Sequence, residues 1–179
     1  MALSHAILTF LLDGACSGYD LTKRFEGSVG FFWKASHQQI YRELAKLEAQ
    51  GWAQVTVVPQ EGKPDKKLYD MTQAGRKALI EWIEQPSNIA PLRDDLLVKL
   101  FAGQLVPRSH LFEELDRHRQ MHQSKLNAYR QLETQYFAHP DELPESAKFQ
   151  YATLLQGIQF EAGWLTWCDR VKTLLAERG

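Results

Sequence analysis

Residues 36–51 read SHQQIYRELAKLEAQG, and residues 52–72 continue WAQVTVVPQEGKPDKKLYDMT. Ser36 is a good helix N-cap, because its hydroxyl can accept a free backbone N–H of the first turn. Gly51 tolerates the left-handed backbone that commonly follows a helix end. At about 100° per residue, Ile40, Leu44 and Leu47 fall on one narrow apolar stripe. Gln38, Arg42, Ala45, Lys46 and Ala49 fall on the opposite side. That side combines amide, guanidinium and ammonium donors with two small residues. Small residues allow close approach to a surface, and Gln and Arg can read base edges bidentately. Residues 52–59 alternate like a strand, residues 60–65 hold the Gly and Pro of a turn, and residues 66–71 form the return strand. A helix followed by a basic-tipped hairpin is the working half of a winged helix-turn-helix.

Outward from this stretch, residues 2–12 are nearly all apolar and suit a buried helix that Gly14 ends. Ser17 can cap a second helix, with Leu21 and Phe25 inward and Lys23 and Arg24 outward. Phe31, Phe32 and Trp33 form an aromatic linker. Thr72 caps a further helix to which Ala74, Ala78, Ile80, Trp82 and Ile83 give apolar surface. The turn-rich segment from Pro86 marks a boundary, with domains expected at 1–87 and 92–179.

The second half is helical by pattern. Arg93 to Gly103 reads as a short helix, with Asp94 and Asp95 in its first turn, where the helix dipole favours carboxylates. Pro107 suits an N1 position and Ser109 a cap, opening a helix to about residue 138. A two-proline loop leads to a last helix from about residue 147 to 177. Two long helices joined by a short loop form an antiparallel hairpin. Its apolar surface exceeds what two helices hide, so a second copy is expected to cover it. The fold class is therefore mainly α with a small β-hairpin: an N-terminal winged helix-turn-helix and a C-terminal helical dimerisation domain.

Composition narrows the function. The chain has 179 residues, 44% hydrophobic and 24% charged, as an ordinary globular protein does. No apolar run approaches the roughly 18 residues of a membrane span, and no signal peptide is evident, so a cytoplasmic location is expected. Cys16 and Cys168 lie too far apart in sequence for a disulfide framework or metal cluster. His118 and His122 share a helix face at a spacing that can hold zinc, but nothing completes the tetrahedron, so they read as surface histidines. No catalytic constellation is present, and no cofactor is expected. The net charge of −1 means that nucleic-acid binding has to come from local placement of charge.

LTFLLDGACSGYDLTKRFE, SHQQIYRELAKLEAQGWAQV and EGKPDKKLYDMTQAGRKAL, taken in order, closely resemble the PadR family of bacterial transcriptional regulators. The resemblance is carried by Gly18-Tyr19, Ile40-Tyr41, Leu47-Glu48, Gly62-x-Pro64 with Lys66-Lys67, and Tyr69-x-Met71-Thr72-x-x-Gly75. RDDLLVKLFAG and the two long helices resemble, more loosely, the long-tailed AphA-like branch. The resemblance implies a homodimer, most often a repressor, bound to double-stranded operator DNA. It places Ser36, Gln38, Gln39, Tyr41 and Lys46 on the reading helix, and Lys63, Lys66 and Lys67 on the wing. Arg42 stands where many relatives have proline, adding a donor to the same face. Phe149, Phe160, Trp164 and Trp167 are candidates to line a pocket for a small aromatic effector, with filling of a helical interface as the competing role. The rival from another class is a winged-helix module that docks protein partners without touching DNA. Binding that weakens steeply with salt separates the two.

Overall fold

The computed structural model describes residues 2–26, 35–62, 65–89 and 93–176. The expected aromatic linker Phe31 to Trp33, the wing-loop residues Lys63 and Pro64, and the last residue of the final helix lie outside these. The chain divides into two compact units, Met1–Ala90 and Pro91–Gly179.

In the first unit, α1 (Ala2–Phe10) runs into a 3-10 turn, Leu11–Asp13, that ends at Gly14 with φ 114°. A two-residue strand, β1 (Cys16–Ser17), precedes α2 (Gly18–Glu26). Then come α3 (His37–Ala49), β2 (Ala53–Val58), β3 (Lys66–Met71) and α4 (Gln73–Ile83). The sheet has the order β1-β3-β2 and is antiparallel throughout, with Tyr69 opposite both Cys16 and Val55. Beyond the expected hairpin, β1 is a third strand that two residues of sequence could not announce.

α3 forms for the reasons its sequence states. The Ser36 hydroxyl accepts from the Gln39 amide at 3.2 Å, and the Gln39 side chain accepts from the Ser36 amide at 2.8 Å. This is a reciprocal capping box. At the other end Gly51, at φ 70°, lets Trp52 N bond Leu47 O at 2.9 Å and Gly51 N bond Glu48 O at 3.0 Å. Those two bonds satisfy carbonyls the helix would otherwise leave open. Ile40, Leu44 and Leu47 are fully buried against Ile7, Leu8, Leu21 and Phe25. Each such side chain contributes roughly 1.5–3 kcal/mol.

Thr72 joins α3 to α4. Its hydroxyl accepts from Gly75 N at 3.1 Å and donates to Gly51 O at 2.6 Å. The inward face of α4 is Gly75 and Leu79. Ala74 is exposed, and Ile80, Trp82 and Ile83 are 48%, 45% and 64% exposed. Their apolar surface thus points outward, because a single turn of α4 meets the core. Trp82 is covered on one side by His5, stacked at 4.6 Å and 5°.

The second unit holds α5 (Asp95–Phe101), a 3-10 turn at Gly103–Leu105, α6 (Arg108–Tyr136), a 3-10 turn at Pro140–Glu142 and α7 (Glu145–Ala176). Asp94 is the N-cap of α5 and accepts from Leu96 N at 2.8 Å. Pro107 sits at the N-cap of α6, one place before the expected N1, and Ser109 lies inside the helix. At ψ 138° the Pro107 backbone is still extended, so the helix begins a residue later. α6 and α7 pack as an antiparallel hairpin, tied by Tyr151 to Glu133 near the loop and by Lys172 to Asp116 and Arg108 to Leu175 O at the open end. Leu96, Leu115 and Cys168 form a thin core, with Trp164 and Trp167 packed against it.

Candidate nucleic-acid interface

Gln38, Arg42, Ala45, Lys46 and Ala49 are all exposed on the face of α3 opposite its buried stripe. The helix presenting them is fixed at both ends and along one side, so their backbone positions are well determined. The Arg42 Nε donates to the Gln38 carbonyl at 3.3 Å, a bond that does not use the two terminal guanidinium nitrogens. Ser36 and Gln39 are exposed but committed to the capping box; the Gln39 amide nitrogen is what remains for a ligand. Tyr41 is 46% exposed. Its ring lies against Gly18, where a β-carbon would come within 2.6 Å of the ring edge. The glycine of the Gly18-Tyr19 pair is therefore small because the Tyr41 ring of α3 crosses it there.

Lys46 is not a free cation. Its ammonium pairs with Glu43 Oε1 at 3.1 Å, and the same oxygen accepts a hydrogen bond from the buried hydroxyl of Ser4 on α1. Burial pushes the Glu43 carboxyl up, but the hydrogen bonds from Ser4 and Lys46 outweigh it and hold it below its usual value.

The wing repeats the pattern. Lys67 is exposed, whereas Lys66 turns toward the start of α2 and pairs with Asp20 Oδ2 at 3.0 Å. Strand alternation sends the two neighbours to opposite faces, so the two lysines expected on the wing stand in different surroundings. Ser17 Oγ donates to the same Asp20 oxygen at 2.7 Å and accepts from Asp20 N at 3.1 Å. Those hydrogen bonds, from Ser17 first and then Lys66, lower the Asp20 carboxyl. Tyr69, buried under the sheet, has its hydroxyl pushed up by burial and then by the charge of Glu48. The residues missed by sequence reasoning are thus Ser4 and Asp20, whereas Glu43 stands one turn before Lys46 on the same helix, a spacing at which such pairs form. The Ser17-x-x-Asp20 spacing was a visible capping signal; nothing local linked Ser4 to Glu43.

In the second unit the four candidate aromatics are spread along α7. Phe149 lies fifteen residues before Trp164 on one straight helix, about 22 Å away by the helical rise. Phe149 is 69% and Phe160 46% exposed, while Trp164 and Trp167 meet edge to face at 4.9 Å and pack on the core. Along one chain, this spacing sets Phe149 apart from the Trp164–Trp167 pair. A polar cleft of about 410 Å³ lies beside His118, between the start of α5 and α6. Inside it Glu114 is held at about 2 by hydrogen bonds from Arg117 and then Lys99.

His118 and His122 also depart from the surface reading. His122 stacks on Trp164 at 4.5 Å and 8°, and bonds the buried carboxylate of Glu161 on α7. His118 lies 3.6 Å from Glu114 and faces the same indole. Among the described residues, no group of three suitable side chains could hold a metal ion, and no helix is long and apolar enough to cross a membrane.

Comparison with known proteins agrees with this architecture in both units. Residues 7–81 match the transcriptional regulator PadR-like family, and residues 92–176 match the virulence activator alpha C-terminal family. The chain is similar to the probable transcriptional regulator Rv1176c of Mycobacterium tuberculosis, 38% identical over 99% of this chain and 100% of that one. The negative transcriptional regulator PadR of Bacillus subtilis is 30% identical over 97% of each chain. A structure of Bacillus subtilis PadR in complex with operator DNA superposes with a TM-score of 0.86 at 26% identity, covering 97% of each chain. The Vibrio cholerae virulence activator AphA superposes with a TM-score of 0.80 at 36% identity, covering 97% of this chain and 98% of that one. With a third of its residues shared along its whole length, the chain belongs to the PadR-like family of transcriptional regulators.

Proposed function

We propose that the protein is a dimeric, sequence-specific DNA-binding repressor acting on a palindromic operator. The observation that carries this reading is the exposed face of α3, where Gln38, Arg42 and Lys46 project between two alanines from a helix capped at both ends. Such a helix fits the major groove, with Arg42 and Gln38 reading base edges and Lys46 and Tyr41 reaching phosphate. Lys67 and Lys63 of the wing would meet the adjacent backbone. That a relative has been solved with operator DNA on the same fold supports the assignment.

Dimerisation is supported by what the second unit leaves uncovered. Val98, Phe101, Leu105 and Leu174 are 69%, 95%, 79% and 75% exposed beside a thin core. A second copy covering them would present two reading helices to half-sites about one helical turn apart. Occupying both half-sites excludes polymerase from an overlapping promoter without any further contact, which favours repression. A small aromatic effector would act by binding the DNA-competent and released dimers unequally, with Trp164 and Trp167 as the candidate aromatics that stand together.

The test is selection of bound duplexes from a random library, followed by affinity measurements on the Arg42→Ala, Lys46→Ala variant. A palindromic motif is expected, with the variant's affinity for it reduced about 10- to 100-fold. Undiminished binding would remove this face of α3 from the interface. Wild-type protein that enriches no motif would favour the protein-docking alternative.

A further inference from the structure

Two lysines of this interface share one arrangement on unrelated elements. Lys46 of α3 pairs with Glu43 Oε1 at 3.1 Å, and Lys66 of β3 with Asp20 Oδ2 at 3.0 Å. In each case the oxygen that takes the ammonium also accepts a buried serine hydroxyl, from Ser4 and Ser17, which are 3% and 6% exposed. The serines fix the carboxylates from the core side, so each carboxylate stays aimed at its lysine. The lysine ends are 47% and 40% exposed, open to a competing anion. Exposed ion pairs are weak enough to be exchanged.

We propose that Glu43 and Asp20 are built-in competitors of DNA phosphate, each withholding one interface lysine and so keeping down sequence-independent attraction to duplex DNA. This rests on the DNA-binding reading above. A lysine already neutralised releases no net counterion when it meets phosphate: either the pair stays closed, or the freed carboxylate takes up a cation from solution. Two positive charges per subunit therefore drop out of the electrostatic term that dominates non-specific binding. On a matching sequence the base contacts of Arg42 and Gln38 supply the energy for the exchange. On random DNA the complex has only phosphate to hold, and it can shift register to satisfy any lysine that is free. Freed lysines thus help random DNA more than the operator. The arrangement also gives a role to acidic residues inside the recognition unit of a chain whose net charge is −1.

The test compares wild type, Glu43→Gln and Asp20→Asn on a random 30-base-pair duplex and on the selected operator across a salt series. Both amides still accept the serine hydroxyl, so the fold is kept while the charge is lost. The logarithmic salt slope is expected to steepen by about 0.9 for each lysine released. Random-duplex affinity at low salt should rise about tenfold in the double variant and operator affinity by less, narrowing discrimination. Glu43→Gln should have little effect in a Lys46→Met background, and Asp20→Asn little in Lys66→Met. Unchanged slopes, or gains that survive removal of the lysines, would overturn the proposal, the latter by showing simple loss of repulsion. Wild type that binds no duplex at any salt would instead sink the DNA-binding reading, and the proposal with it.

Discussion

Replacing Gly75 with alanine is expected to destabilise the N-terminal unit by about 3 kcal/mol and lower its melting temperature by about 15 °C. An added β-carbon would lie 2.1 Å from the carbonyl oxygen of Trp52 and 2.9 Å from its carbonyl carbon. Those are backbone atoms, and they are pinned: Trp52 N bonds Leu47 O at 2.9 Å, and Trp52 O accepts from Thr72 N at 3.0 Å. Relief therefore requires moving either the end of α3 or the start of α4, and the Thr72 hydroxyl bonds both. The contrast is Gly18→Ala, whose β-carbon would meet only the Tyr41 ring, at 2.6 Å. That ring is half-exposed and can swing aside, so the stability loss there should be about 1 kcal/mol, with Tyr41 displaced from the interface. Urea denaturation of both variants checks the pair. A Gly75→Ala protein as stable as Gly18→Ala would mean that the turn after α3 yields as easily as a surface side chain.

Gly75 also marks where sequence reading stopped. Its place in Tyr69-x-Met71-Thr72-x-x-Gly75 was legible as a spacing, but the reason, a carbonyl twenty-three residues earlier, was not. α3 was legible throughout because its cap, stripe and stop are local: Ser36 and Gln39 meet within one turn, and Gly51 acts on its own helix. β2 was legible because its residues alternate, and β3 as the return strand after the Gly and Pro turn. β1 was not, since Cys16 and Ser17 become a strand only by pairing with Tyr69 and Leu68. On the candidate interface the lysines were visible, and so was Glu43 beside Lys46, but the partner of Lys66 was hidden. Helix periodicity does bring Glu43 within one turn of Lys46, but the Ser4 hydroxyl behind Glu43 and the Asp20 partner of Lys66 depend on the α1–α3 and α2–β3 packing, to which periodicity is blind. The aromatics of α7 were grouped by chemical likeness, whereas 1.5 Å of rise per residue separates Phe149 from Trp164. His122 was assigned to the surface because α6 is polar nearly all round, and only the α7 partner makes that side an inside.

That partner defines the other large effect: Glu161→Ala should destabilise the C-terminal unit by about 3 kcal/mol. Glu161 is 3% exposed within the otherwise apolar inner side of α7. It bonds His122, lies 3.7 Å from the Lys125 ammonium, and its charge, after burial, raises the hydroxyl of Tyr129. Truncation leaves the imidazole, stacked flat on Trp164 and only 12% exposed, without its acceptor, and opens a void beside it. Glu161→Gln keeps the shape and an acceptor, so its loss should be nearer 1 kcal/mol. Joint replacement, Glu161→Leu with His122→Phe, removes both polar groups and should recover most of the stability lost by truncation, since apolar pairs of similar volume often equal or exceed buried ionic ones. Urea unfolding followed by helical circular dichroism orders the three variants. If the apolar pair melts as early as Glu161→Ala, the His122–Glu161 contact is itself a main source of hairpin stability. If it recovers, the pair matters for alignment: sliding α7 by one turn along α6 would bury Glu161 without a partner, so one carboxylate penalises every register but the one observed.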